Sequence, residues 1–119
     1  MDYYEIWFDL KDSRRDLDFA GALDRFMGHF REKGWIEGHR LTRRKLGFGP
    51  EALGEFHLTM EIKNLAKLDE AFQAAASRTG EIEQIHSQVY SQVTNLRFGL
   101  ARDFPDPVRQ TPEDESDGR

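Results

Sequence analysis

The chain has 119 residues and fits a single domain, because chains divide into domains of roughly 100 to 200 residues. Hydrophobic residues make up 38% of it, and nine Phe, three Tyr and two Trp supply enough large apolar side chains for one core. The absence of cysteine excludes disulfides, thiolate metal sites and cysteine catalysis. No apolar run reaches the roughly 18 residues of a membrane span, and the N-terminus does not resemble a secretion signal. We therefore expect a cytoplasmic protein that does not contact a membrane.

The net charge of −5 is concentrated at the C-terminal end. Residues 103–119 hold six of the 22 acidic residues, which leaves 16 acids and 15 bases in residues 1–102. Nucleic-acid binding needs a concentration of positive charge, and residues 1–102 are nearly neutral. We therefore expect no nucleic-acid partner. The sequence predicts a folded domain over residues 1–104, followed by an extended to disordered acidic tail over residues 105–119.

The first third of the chain changes from strand to helix spacing. Residues 3–10 alternate apolar and polar side chains, which predicts a strand. Apolar residues then recur at helical spacing from Leu17 onward and predict a helix over about residues 14–33. Ser13 and Asp16 are spaced as an acidic variant of the capping box that starts such a helix.

Two further strands are predicted on either side of a glycine-rich turn. Residues 35–46 are typical of a strand with poor alternation, and residues 56–62 alternate cleanly, so the two are expected to form a hairpin. In the first of these strands, the pattern does not decide which side chains face the side of the sheet away from the helices. They are either Arg40 and Arg44 or His39 and Arg43.

The remaining elements complete an alternating order. Asn64 is placed to cap a second helix, with Phe72 in its buried stripe and Gly80 at its end. Residues 81–92 fit both helical and strand spacing, and we favour a short third helix. Residues 95–101 alternate again and predict a fourth strand.

The order β-α-β-β-α-(α)-β predicts an α+β, ferredoxin-like βαββαβ fold, in which the helices cover one face of an antiparallel sheet. The other face is left open. It has more aromatic side chains than a face exposed only to solvent usually has, and more charged side chains than a buried core. The side chains expected on it are Tyr3, Glu5, Trp7, Asp9, His57, Thr59, Glu61 and Arg97.

The layout, the length and the segment Arg102-Asp-Phe-Pro-Asp106 resemble the dimeric α/β-barrel superfamily, and within it short uncharacterised bacterial proteins that end in such a segment. The resemblance implies a homodimer whose subunits pack their open sheet faces into a closed barrel. It also implies a small-molecule pocket between sheet and helices or inside the barrel. Relatives include cofactor-free monooxygenases, muconolactone-isomerase-like enzymes, haem-degrading enzymes and members without known activity. No haem-ligand or catalytic motif of theirs is matched here, so we transfer no site residue and expect no tightly bound cofactor.

His57 is the candidate catalytic residue. Its expected place is mid-strand on the open face beside Trp7, and an unperturbed imidazole pKa of about 6.5 suits proton transfer near neutral pH. Trp7 would offer a stacking wall to a ligand. The alternative is that both side chains only fill the dimer interface, with His57 bonded to a carboxylate such as Glu61 or Glu55.

The remaining candidate ligand-binding residues surround these two positions or lie on the third helix. Arg97 is expected on the open face, where it would hold an anionic substrate or neutralise Glu5 or Asp9. His86 and Tyr90 would share a helical face at a pocket mouth. We predict no metal site, because the histidines lack the spacing of a ligand set.

These residues favour a homodimer that binds or transforms a small organic molecule, with monooxygenase-like or isomerase-like chemistry. The alternative is a non-catalytic structural or interaction protein whose polar sheet face serves only the dimer interface. Phe104 is a large apolar group in an extended segment, and we expect it to anchor the C-terminal segment on its own subunit or across the dimer.

Overall fold

The computed structural model describes residues 1–106, which form a four-stranded antiparallel sheet with helices on one face. The strands lie in the order β2-β3-β1-β4, so the predicted ferredoxin-like α+β fold is confirmed. Most of the predicted tail lies outside the described residues. In chain order the elements are β1 (Asp2–Leu10), a 3₁₀ turn (Ser13–Arg15), α1 (Asp16–Glu32), β2 (Gly38–Arg43), β3 (Phe56–Ile62), α2 (Leu65–Ala76), α3 (Gly80–Tyr90) and β4 (Val93–Arg102).

The core lies between the helices and the two central strands, β1 and β3. Phe8 of β1 and Phe56 of β3 stack with 5.6 Å between ring centroids, and Phe19 of α1 packs tilted against both rings. All three are buried, as are Met27 and Ile62. Because burying such a side chain contributes about 1.5–3 kcal/mol, this layer supplies most of the driving force that holds α1 on the sheet.

The start of α1 differs from the prediction. Asp12, and not Ser13, makes the capping contact, because its carboxylate accepts a 3.1 Å hydrogen bond from the backbone N–H of Arg14. That bond and a second one from the Arg14 side chain lower the pKa of the Asp12 carboxyl. The chain makes a 3₁₀ turn before α1 begins at Asp16, so the predicted capping box is wrong.

Two apolar helix residues assigned to buried stripes are instead exposed. Leu17 is 83% exposed, because the buried stripe of α1 begins two residues later at Phe19 and a helix turns about 200° over two residues. Phe72 of α2 is about half exposed. The buried stripe is therefore narrower in both helices than predicted, and in α2 it consists of Leu68 and Ala71.

The second half of the chain contains the helices that the sequence predicted, with one shifted boundary. Asn64 caps α2 by accepting a hydrogen bond from the backbone N–H of Lys67 at 3.1 Å, as expected. The helix ends at Ala76 and not near Gly80, whose φ of 63° places it in a left-handed turn at the start of α3. The helical interpretation of residues 81–92 is confirmed.

The register of β2 settles which of its residues face the open side. Arg40 pairs with Thr59 across β3 and lies on the open face. His39 and Arg43 point toward α1, where the His39 imidazole lies 3.5 Å from the Asp24 carboxylate. Arg43 is held on the same side by ion pairs, so the open-face assignment that includes Arg40 is the right one.

Charged groups, and not Phe104, hold the segment that follows β4. The Tyr3 hydroxyl donates a 2.5 Å hydrogen bond to Asp103, and Arg102 pairs with Asp106 at 2.6 Å. Phe104 is 89% exposed, so the expectation that it docks on its own subunit is wrong. Docking across a dimer stays a prediction.

Gly54 marks the closest approach between the β2–β3 loop and β1, because a Cβ atom there would overlap the carbonyl group of Phe8. We expect Gly54→Ala to lower the free energy of unfolding by about 1–3 kcal/mol, measured by denaturant unfolding. The control is Gly28→Ala in α1, where nothing lies within 4 Å of the added methyl group and a gain of about 0.5–1 kcal/mol is expected. A Gly54→Ala variant as stable as the wild type would contradict this packing.

Candidate functional site

The predicted site residues separate onto two opposite sides of the sheet. Those on β1, β3 and β4 lie on the open face, whereas those on α3 lie beside the space between sheet and helices. The first group is Glu5, Trp7, His57, Glu61 and Arg97, and the second is His86 and Tyr90. They therefore do not form a single site.

A carboxylate, an imidazole and a hydroxyl form the centre of the open face. Glu5 Oε1 lies 2.6 Å from His57 Nε2 and accepts a 2.7 Å hydrogen bond from the Thr59 hydroxyl. The β1–β3 register creates this Glu5–His57–Thr59 cluster by pairing Glu5 with Thr59 and Trp7 with His57. A carboxylate only accepts, so Nε2 carries the proton and the ring is fixed in one tautomer. The other ring nitrogen, Nδ1, has no hydrogen-bond partner within residues 1–106.

Trp7 lies flat against this cluster. Its ring stacks on the His57 imidazole with 4.5 Å between centroids and 16° between planes. On the other side the indole lies over Gly99 of β4, where a Cβ atom would come within 3.3 Å of the indole ring. Glycine at this position therefore lets the indole lie on the neighbouring strand, and Trp7 presents an aromatic surface beside His57.

Arg97 and Glu61 share the open face but do not join the cluster. The Arg97 guanidinium donates to a backbone carbonyl at 3.0 Å and makes no ion pair with the carboxylates of residues 1–106. Within one chain, Arg97 therefore pairs with neither Glu5 nor Asp9. The Glu5 carboxylate is bonded to His57, and the Asp9 carboxylate accepts hydrogen bonds from the Glu55 backbone N–H and the Asn95 side chain. His57 bonds to Glu5, and the suggested bond to Glu61 is absent.

A cavity of about 280 Å³ lies on the other side of the sheet, between β1, β4 and the helices. It exists because α3 buries none of its residues completely, so that the space under this helix is only partly filled. Phe19, Met27 and Leu58 contribute to its walls, and the exposed side chains of Phe72 and Phe98 mark where it reaches the surface. We call this space the helix–sheet cavity.

Three side chains bring polar atoms to this otherwise apolar cavity, namely Tyr4, His86 and Tyr90. The His86 ring stacks on Phe26 with 5.3 Å between centroids and contacts the Tyr90 ring at 5.6 Å. None of the three makes a hydrogen bond within residues 1–106. Burial raises the pKa of the Tyr4 phenol, so that group remains a hydrogen-bond donor at neutral pH. No residue of the described lining carries a full charge.

Sequence reasoning missed two features of these sites. The candidate residues predicted from the sequence did not include Tyr4, although a phenol among core residues indicates a polar group that needs a partner. The second is a recess of about 190 Å³ on the open face, between Trp7, His57 and the loop that joins β2 to β3. That loop was interpreted as a hairpin connection without a binding role. We call this space the hairpin recess.

Residues 1–106 contain neither a cluster of metal-binding side chains nor a helix that could span a membrane. This part of the chain holds no group of three or more His, Asp or Glu side chains placed to bind one metal ion. In the same residues, no helix has the length and apolar character needed to cross a bilayer.

Comparison with solved structures shows the fold. A variant of SnoaB, a cofactor-independent oxygenase from Streptomyces nogalater, superposes with a TM-score of 0.65 at 11% identity, over 88% of this chain and 97% of the other. A dimeric ferredoxin-like protein of unknown function from Jannaschia sp. CCS1 superposes with a TM-score of 0.59 at 10% identity, over 86% of this chain and 98% of the other. No curated protein matches the sequence. A family model matches residues 1–115, and the chain belongs to that family of unknown function, DUF6614.

Proposed function

We propose that this protein is a homodimer that binds a small, neutral, aromatic molecule in the helix–sheet cavity and transforms it without a tightly bound cofactor. The observation that carries the proposal is the cavity itself, a space of about 280 Å³ with apolar walls and three polar side chains that lack protein partners. Apolar pockets with a few convergent polar groups are the usual form of small-molecule sites.

The residues that line the cavity determine the charge and the shape of the ligand that it can bind. A carboxylate or phosphate in this space would be desolvated without a cation to compensate it, because the described walls contain no Lys or Arg. A neutral aromatic ring would bury its surface against the phenylalanines of the walls and stack as they do with one another. Tyr4, His86 and Tyr90 would then form hydrogen bonds with one or two oxygen atoms of the ligand.

The chemistry we propose is proton removal by His86. A neutral imidazole can accept a proton from a phenolic or enolic hydroxyl, or from a carbon next to a carbonyl, which is the first step of monooxygenase-like and isomerase-like reactions alike. The structural similarity to a cofactor-independent oxygenase supports this reading. Tyr90, in contact with the His86 ring, would hold the same oxygen by a hydrogen bond.

The open face is the proposed dimer interface. Its aromatic surface, Trp7, would be removed from water, and the Glu5 carboxylate already accepts hydrogen bonds from His57 and Thr59, so covering it leaves no carboxylate without donors. Arg40 and Arg97 make no ion pair within residues 1–106 and would find carboxylates on the second subunit. The similarity to a dimeric ferredoxin-like protein supports the same assembly.

A non-catalytic protein remains the second candidate function, and one observation favours it. The Glu5–His57–Thr59 cluster is internally paired, which is what an interface needs and what a substrate-free active site often lacks. In that case neither His57 nor His86 would act in catalysis, whereas ligand binding in the helix–sheet cavity would be unaffected.

The cavity assignment predicts that 2-naphthol, a neutral probe of two fused rings, raises the melting temperature. Stabilisation should follow RT ln(1 + [L]/Kd), because the probe binds only the folded state. Ala75→Leu, which fills part of the cavity, should abolish this gain, and His86→Phe, which removes the ring nitrogens, should weaken binding by about tenfold through the lost hydrogen bond.

The control for this experiment is Ala76→Leu, an exposed position on the same helix that does not line the cavity. It should bind the probe as the wild type does. Naphthalene-2-carboxylate should stabilise the protein less than 2-naphthol, because the described lining has no cation. Equal binding by wild type and Ala75→Leu would contradict the proposal.

The interface assignment predicts a particle of about 28 kDa by sedimentation, twice the 13.9 kDa of one chain. His57→Ala should raise the dimer dissociation constant by at least about tenfold, because Glu5 would be covered without its partner. His39→Ala, on the helix side of the sheet, is the matched control and should leave it unchanged. A protein that is monomeric at all concentrations would refute this assembly. So would a dimer dissociation constant that His57→Ala leaves unchanged.

A further inference from the structure

The hairpin recess is built by one chain from the open face and the loop between β2 and β3. Trp7 and His57 form its inner side, and Phe48, Pro50 and Leu53 of the loop contribute to its outer side. Its volume of about 190 Å³ is smaller than that of the helix–sheet cavity and lies on the opposite side of the sheet. It is therefore a separate space with its own chemistry.

A cation without a carboxylate partner lines this recess. The Arg44 guanidinium is half-buried and donates through Nη2 to the carbonyl oxygens of Pro50, Leu53 and Gly54, at 2.8, 2.8 and 3.4 Å. These bonds tie the loop down, and the loop packs so closely that a Cβ atom on Gly49 would overlap the guanidinium. The N–H groups on Nε and Nη1 have no acceptor within residues 1–106, and the guanidinium makes no ion pair there.

Asp9, Glu51 and Glu55 line an adjoining hollow with Arg44, but none of them lies within ion-pair distance of its guanidinium in the described residues. The carboxylate that also lines the recess, Glu55, is already compensated. Glu55 is paired with Arg43 at 2.7 Å, and Arg43 also holds Asp16 at 3.0 Å. A half-buried guanidinium without a counterion favours an anion, because taking a charge out of water costs free energy that a paired charge recovers. His57 Nδ1 adds a hydrogen-bonding nitrogen on the opposite wall.

We propose that the hairpin recess binds a small aromatic carboxylate, with its ring between Trp7 and Phe48 and its carboxylate on Arg44. A planar ring can stack on the exposed phenyl of Phe48 and on the part of the half-buried Trp7 indole that lines the recess, and a guanidinium binds a carboxylate through charge-assisted hydrogen bonds. His57 Nδ1, an acceptor in this tautomer, would accept from a donor on the ligand such as a ring hydroxyl. This site shares no residue with the helix–sheet cavity, so it is independent of the ligand proposed there. Trp7 and His57 also belong to the open face, so in the proposed dimer a ligand in the recess would lie against the second subunit.

The test is an NMR titration of the full chain with benzoate. The protein has two tryptophans, so two indole N–H signals are expected, and Trp7→Phe assigns them. Benzoate should shift the Trp7 signal and the His57 ring signals in a saturable way. Trp35 packs against Phe30 on the helix side, so its signal should stay in place. Benzamide, which has the same shape without the charge, should bind at least about tenfold more weakly.

Matched variants locate the site without relying on Arg44, whose replacement would also release the loop. Phe48 and Leu46 lie in the same loop and are equally exposed at 81%, but only Phe48 lines the recess. Phe48→Ala should weaken benzoate binding severalfold, and Leu46→Ala should not change it.

Three results would overturn the proposal. They are the absence of a saturable Trp7 shift at millimolar benzoate, equal shifts of both indole signals, and equal affinities of Phe48→Ala and the wild type. A shift of the His86 ring in place of the His57 ring would assign the anion to the helix–sheet cavity and contradict both the recess and the neutral ligand of the proposed function. Failure of 2-naphthol to bind would leave the benzoate result intact, so the two proposals fail separately.

Discussion

The fold depends on apolar burial that acts on only one face of the sheet. α1 fills the space above β1 and β3 with large side chains such as Phe19 and Met27, and this packing fixes the sheet against the helices. The cover becomes thinner toward β4, because no residue of α3 is completely buried and Phe98 stays exposed. The unfilled space under α3 and the uncovered opposite face both follow from this one-sided packing, and the two candidate sites lie in them.

The two sites differ in charge, and this difference decides what each one binds. The helix–sheet cavity offers neutral polar groups on apolar walls, so it favours an uncharged aromatic molecule. The hairpin recess offers the Arg44 guanidinium without a carboxylate partner within residues 1–106, so it favours an anion. Because β1 separates them and contributes Tyr4 to one and Trp7 to the other, a ligand in one site would not occupy the other.

Alternation in β1 and β3 was sufficient to predict the fold class and which residues share the open face, because side chains alternate strictly along a strand. The pairing of Glu5 with His57 was not predictable in the same way. It depends on the register between strands more than 50 positions apart in the chain, which no local pattern encodes. The bonds from Arg44 to loop carbonyls were missed for the same reason, since they depend on the path of the loop. Leu17 was misplaced because the 3₁₀ turn before α1 decides where the helix starts.

Whether the space under α3 is a ligand site can be tested directly by a crystal structure with 6-bromo-2-naphthol, because bromine can be located by its anomalous scattering. We expect a bromine peak inside the helix–sheet cavity, with the naphthol oxygen within hydrogen-bond distance of His86, Tyr90 or Tyr4. A structure in which α3 packs down onto β4 and leaves no space, or in which the bromine lies on the open face, would contradict it.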